Sequence, residues 1–171
     1  MADALRDLQV AESFLQDVRN GTSRVERNEN PFTAIDEAGR IYDRDWTLAM
    51  KRIDKAEAQG VDVTQVRAQA YFVLGNLSLR AAERVSAVES VAGLNRNREP
   101  RFKDWMQQAI DSFTKSVRIR PSSEAWFNLG LAWIQAGNQQ YAIQCFQQAE
   151  AADDEDISII ASKMIDRLQA A

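Results

Sequence analysis

Four consecutive acids, Asp153, Asp154, Glu155 and Asp156, form the densest group of chemistry-bearing side chains in the sequence. A calcium loop needs ligands at alternating positions around a central glycine, and this run has neither. Acids in that pattern suit the start of a helix, where they meet unpaired backbone N–H groups and the positive end of the dipole. A second cluster is basic: Arg96, Arg98, Arg101 and Lys103. Such charge can neutralise phosphate, and Phe102 or Trp105 is of a type that stacks on bases. But Phe102, Trp105, Met106 and Ala109 recur at helical spacing, so a core role is expected and nucleic acid is not the favoured partner. Histidine is absent and Cys145 is the one cysteine. Ser-His-Asp, Cys-His and zinc constellations therefore cannot form within this chain. The seven glycines are too dispersed for a phosphate loop. No enzyme activity, metal or cofactor is expected.

The elements that position these side chains follow from composition and period. The chain has 171 residues, 45% of them apolar, with only 3 prolines. That is enough for one domain with its own core and too little Gly and Pro for a linker or disordered segment. Net charge is -4, unevenly spread: residues 84–120 carry 8 basic and 4 acidic side chains, and residues 121–171 carry 2 and 7. The basic middle and acidic end suit solvated helix faces, head-to-tail contacts or an acidic partner. The first residues are acidic where a secretory signal would be basic and then apolar. No stretch approaches the roughly 20 apolar residues of a membrane span. A cytoplasmic location with Cys145 reduced is the expectation.

Apolar residues recur at spacings of three and four nearly everywhere, which argues for helices throughout. Leu5, Leu8, Ala11, Leu15 and Val18 make one stripe, and Asn20-Gly21 reads as a helix stop. Residues 22–33 read as irregular. Further helices are expected at about 42–59, 64–91, 101–120, 123–136, 139–152 and 156–169. Residues 1–41 are thus an N-terminal helix and irregular connector. Residues 42–171 are a helical repeat domain with an insertion at about 82–104 and a C-terminal capping helix at 156–169.

The repeat rests on particular residues. Trp126-x2-Leu129-Gly130-x2-Trp133 is followed by Ala142-x3-Phe146-x2-Ala149. This resembles the tetratricopeptide repeat, a 34-residue helix pair. Asp154 stands where that pattern has its closing proline. An interrupted copy is carried by Tyr71-x2-Leu74-Gly75 and then Ala109-x3-Phe113, with 22 extra residues inside the pair. Ala49-x3-Ile53-x2-Ala56 resembles a second helix alone. Gly130 is expected where paired helices cross closely, with Ala142 facing it. The fold implied is an all-α superhelix of about three antiparallel helix pairs with an N-terminal helix and a helix/loop insertion.

The resemblance implies a protein-interaction module that binds a partner helix or peptide in a partly apolar concave groove. Adaptor, scaffold and assembly factor are the roles it suggests. Groove candidates are Phe72, Asn76, Leu79, Arg80, Phe127, Asn128, Leu131, Ile134 and Gln135. A second contact surface is expected at Arg96, Arg98 and Arg101. Some members of the family grip carboxylate tails with Lys, Asn and Arg. Here Phe72 stands at a Lys place, and Ser158 and Ser162 at the later cationic places, so no such clamp is expected. Two alternatives stand beside this reading. One is a homo-oligomer whose groove is covered, with helix 2–19 as a cover. The other is a nucleic-acid accessory protein that uses the basic insertion.

Overall fold

Short polar caps punctuate an otherwise helical chain. A computed structural model describes residues 2–92, 100–152 and 154–170, with side chains at all of these but 89–92 and 100–102. Among the described residues there is no strand. The helices are α1 (Ala2–Arg27), α2 (Pro31–Ile41), α3 (Thr47–Ala58), α4 (Thr64–Ala92), α5 (Pro100–Ile119), α6 (Ser123–Gln135), α7 (Gln139–Glu150) and α8 (Glu155–Gln169). A π turn at Tyr42–Trp46 joins α2 to α3. Asn30, Ser122, Asn138 and Asp154 each cap the following helix, their side chains accepting from backbone N–H groups of its first turn. Asp154 thus starts α8 at the place where the repeat pattern has proline. Gly60 and Gly137, at φ of 81° and 82°, make the left-handed turns after α3 and α6.

The N-terminal helices differ from the sequence expectation. Asn20-Gly21 does not stop α1, and of residues 22–33 only 28–30 are irregular. The helix runs on to Arg27, because Val18, Gly21 and Val25 stay on its buried face. Gly21 is there for close approach: a Cβ on it would lie 2.5 Å from Ile41 Cδ1. The next helix begins at Pro31, not near Tyr42.

The chain forms helix pairs, α1 with α2–α3, α4 with α5 and α6 with α7, and α8 closes the last. The long central helix α4 packs against α1, α2 and α5. Its buried residues therefore run around much of its girth, from Ala70 and Val73 on one side to Leu79, Ala82 and Val85 on another. Helices apolar all round are expected inside. Ala82 and Val85 belong to the α4–α5 core, so this part of the 82–104 insertion lengthens the core. Arg96 and Arg98 lie outside the described residues, and Arg101 is in the first turn of α5 with its side chain outside them.

Two crossings are nearly superimposable in kind. A Cβ on Gly75 would lie 2.6 Å from the Phe113 ring, and one on Gly130 would lie 2.6 Å from the Phe146 ring. The side chain nearest Gly130 is therefore that of Phe146. Both rings are fully buried.

The first pair is held by charge as well as by packing. Asp7 of α1 is buried and pairs with Arg52 at 2.7 Å and Lys55 at 2.8 Å on α3. Those hydrogen bonds, Lys55 first, hold its carboxyl below the ordinary 3.8. A depressed folded pKa means stability that is present above the unfolded pKa and lost as pH falls through the folded one. The gap in thermal midpoint between wild type and Asp7→Asn is therefore expected to be full at pH 7. It should shrink below about pH 4, the ordinary carboxylate range, and calorimetry across that range checks it. A pH-independent gap would mean that Asp7 acts by shape alone.

Candidate functional site

The first helices of the three pairs, α1, α4 and α6, line one face of the molecule. Two adjoining cavities of about 450 and 390 Å³ run along it and share Arg19, Phe72 and Glu124. One is bounded by Gln65, Gln69, Ser116, Arg120 and Ser122. The other is bounded by Thr22, Ser23, Glu26, Asn76, Arg80 and Asn128. Together they form a groove with Phe72 at its middle. The ring is half-buried and leans on Phe113, centroids 5.9 Å apart.

The sequence-predicted residues divide into three groups. Phe72, Asn76, Arg80 and Asn128 line the groove. Arg80 is held there by Glu83 at 2.9 Å and Glu26 of α1 at 3.5 Å. Gln135 donates to Glu83 at 2.9 Å, tying α6 to α4 beside the groove. Leu79 is the clear correction. It is only 3% exposed and packed with Val85, Met106 and Phe113, so it cannot reach a partner. The reason is the lengthened α4, which puts Leu79 against α5 where an ordinary pair would already have turned. Phe127, Leu131 and Ile134 are half-buried and pack against the Phe146–Ala161–Ile165 cluster of α7 and α8. Phe127 lies 5.3 Å from Phe146, centroid to centroid. The groove is consequently more polar than expected, with one aromatic floor.

Sequence reasoning missed the wall that α1 contributes. Arg19, Thr22, Ser23 and Glu26 belong to the segment read as helix end and connector. The signal was present: Val25 continues the three-and-four stripe from Leu15 and Val18 across Gly21. The helix 2–19 expected as a cover is longer and stands as a side of the groove, beside open volume.

Among the described residues neither Asn76 nor Asn128 has a side-chain hydrogen-bond partner, and both are half-buried. Half-buried amides retain a full set of donors and an acceptor to offer. Cys145 is of another kind. Burial pushes its thiol up to about 11, so it stays neutral and is a poor nucleophile. Among the described residues no group of His, Cys, Asp and Glu could hold a metal ion. No helix there is long and apolar enough to cross a membrane. Ser158, at a place where a carboxylate clamp has a cation, donates to the Glu150 carbonyl at 3.0 Å.

Comparison with known proteins adds one match. Residues 123–156 fit the family model of the tetratricopeptide repeat. No curated protein matched the chain. The matched residues are α6, α7 and the start of α8, with the Gly130–Phe146 crossing at their centre. The chain therefore carries a tetratricopeptide repeat over residues 123–156, within an all-α fold of paired helices.

Proposed function

We propose that the chain is a non-enzymatic protein-interaction module whose α1–α4–α6 groove holds an extended segment of a partner polypeptide. The observation that carries this reading is that Asn76 of α4 and Asn128 of α6 both line the groove with no side-chain hydrogen-bond partner among the described residues. A primary amide has the donors and the acceptor that a peptide group seeks, so two of them along a groove can hold a backbone in register. Phe72 supplies an apolar seat between them and the Gln65–Gln69 end. Arg120 at that end and the Arg80–Glu26–Glu83 cluster at the other give the groove a direction. A repeat that exists to present such a groove fits an adaptor, scaffold or assembly factor. The absence of histidine and the neutral Cys145 thiol favour binding over catalysis.

The test is affinity capture from the native cell's lysate with wild type and the double variant Asn76→Ala plus Asn128→Ala. Phe72 is left intact because its ring supports Phe113. Each lost hydrogen bond is worth about 1 kcal/mol, so the pair should weaken a groove-bound partner by about tenfold or more. A polypeptide retained by wild type and lost by the folded variant supports the groove. Equal retention of every captured protein overturns it.

A further inference from the structure

We propose that the cleft between the π turn and α5 is a second docking site, for a cationic side chain of a basic partner polypeptide. The cleft has a volume of about 390 Å³ and is lined by Tyr42, Trp46, Tyr71, Asp104, Asp111 and Lys115. It shares no lining residue with the groove.

The aromatic wall is assembled by the irregular helix. At the π turn the Thr47 N–H bonds to the Tyr42 carbonyl five residues back, and the Thr47 hydroxyl donates to the same oxygen at 3.0 Å. Tyr42 and Trp46 stack with centroids 5.4 Å apart, and Tyr71 is tilted against Trp46 at 6.1 Å. The Trp46 indole is locked by donating to the Ala70 carbonyl at 3.0 Å. Single π turns inside helices recur at functional sites. Three rings so fixed present electron-rich surface at small conformational cost.

The opposite wall, from α5, carries Asp104 and Asp111 beside Lys115. Among the described residues neither Asp104 nor Asp111 forms an ion pair. Asp111 accepts only from its neighbour Gln107, at 2.9 Å. Rings and unpaired carboxylates together are what an ammonium or guanidinium seeks. The chain already uses this chemistry: Lys115 Nζ sits 5.2 Å from the Tyr71 centroid. A cation within about 6 Å of a ring is attracted to its face. A partner's Arg or Lys would take the remaining ring surface of Tyr42 and Trp46, next to the two carboxylates. The overall charge of -4 steers a basic partner inward and sets two copies of this chain against each other.

The experiment titrates the full chain with a capped peptide of three Gly-Arg repeats and follows the Trp46 indole N–H resonance, assigned with Trp46→Phe. Saturable movement of that resonance is expected, and none with citrulline in place of arginine. Asp104→Asn plus Asp111→Asn should weaken binding about tenfold. Tyr42→Leu should weaken it about threefold without changing charge. Glu155→Gln plus Asp166→Asn on α8 removes equal charge elsewhere and should change affinity less than twofold. Asp104, Asp111, Glu155 and Asp166 are all exposed, so folding is not at stake in the charge variants. Equal weakening by the two charge variants would reduce the site to diffuse attraction and overturn the proposal. So would an unmoved Trp46 signal. A dimer in sedimentation that Asp104→Asn plus Asp111→Asn dissociates would give the cleft to a second copy, and overturns it too.

Discussion

Phe113→Ala is expected to destabilise the whole chain by about 3–5 kcal/mol, the cost of removing a fully buried Phe side chain and leaving its cavity. For a chain of this size that lowers the thermal midpoint by roughly 6–20 °C. The ring is 0% exposed. It lies against the bare backbone of Gly75 and the Phe72 ring, with Leu79, Val85 and Met106 in the same cluster. It therefore joins the two helices that every other pair leans on. Gly75→Ala makes the reciprocal error. Its Cβ would meet the ring at 2.6 Å, an overpacking worth about 1–3 kcal/mol. The two changes share one space, so their costs should not add. The double variant is expected to be more stable than the sum of the singles predicts, because the added methyl enters the cavity that the lost ring leaves. Urea unfolding of the four proteins measures this. Strict additivity would mean that Gly75 is needed for its backbone and not for the crossing.

The same residues show what was readable before the fold was known. Gly75 and Gly130 were legible because a Leu-Gly step is rare inside a helix, and its repetition before Ala-x3-Phe points to a close crossing. Gly21 was not. A glycine after asparagine satisfies the helix-stop rule, and that rule competes with a stripe that continues through Val25. Tertiary contact decides between them, since Ile41 lies where a side chain at 21 would go. The outcome reached the site: with α1 ended early, Thr22, Ser23 and Glu26 could not be placed on the groove.

Leu79 failed for a different reason. In a short pair the last turn of the first helix is free to face a groove. Here α4 continues to Ala92 and α5 runs beside it, so the same turn becomes interior. Phe127, Leu131 and Ile134 show the equivalent effect at the other end, where α8 supplies the neighbour. Helical period gives which residues share a face. It does not say which neighbour covers that face. The π turn was illegible in a stronger sense, because Tyr42-x3-Trp46 is compatible with an ordinary helix.

Phe146→Ala carries a cost of the same size, about 3–5 kcal/mol, but a different spatial outcome is expected. Phe146 is fully buried between Gly130 and the Phe127 ring. Its cluster consists of Ala142, Ala149, Ala161 and Ile165, all from α7 and α8. In stacked helix pairs each unit is stabilised by itself and by its neighbours. The α6–α8 unit meets the rest chiefly where α6 lies on α5. Local opening is then cheaper than global unfolding. Amide exchange of Phe146→Ala should accelerate across α6, α7 and α8 while α1–α5 keep their protection, whereas Phe113→Ala should raise exchange everywhere. Asn128 lies on the unit that opens and Asn76 on the unit that stays. A partner spanning both would be lost from Phe146→Ala under conditions where the titration of the π-turn cleft is unchanged. Uniform acceleration in both variants would instead make the chain a single cooperative unit.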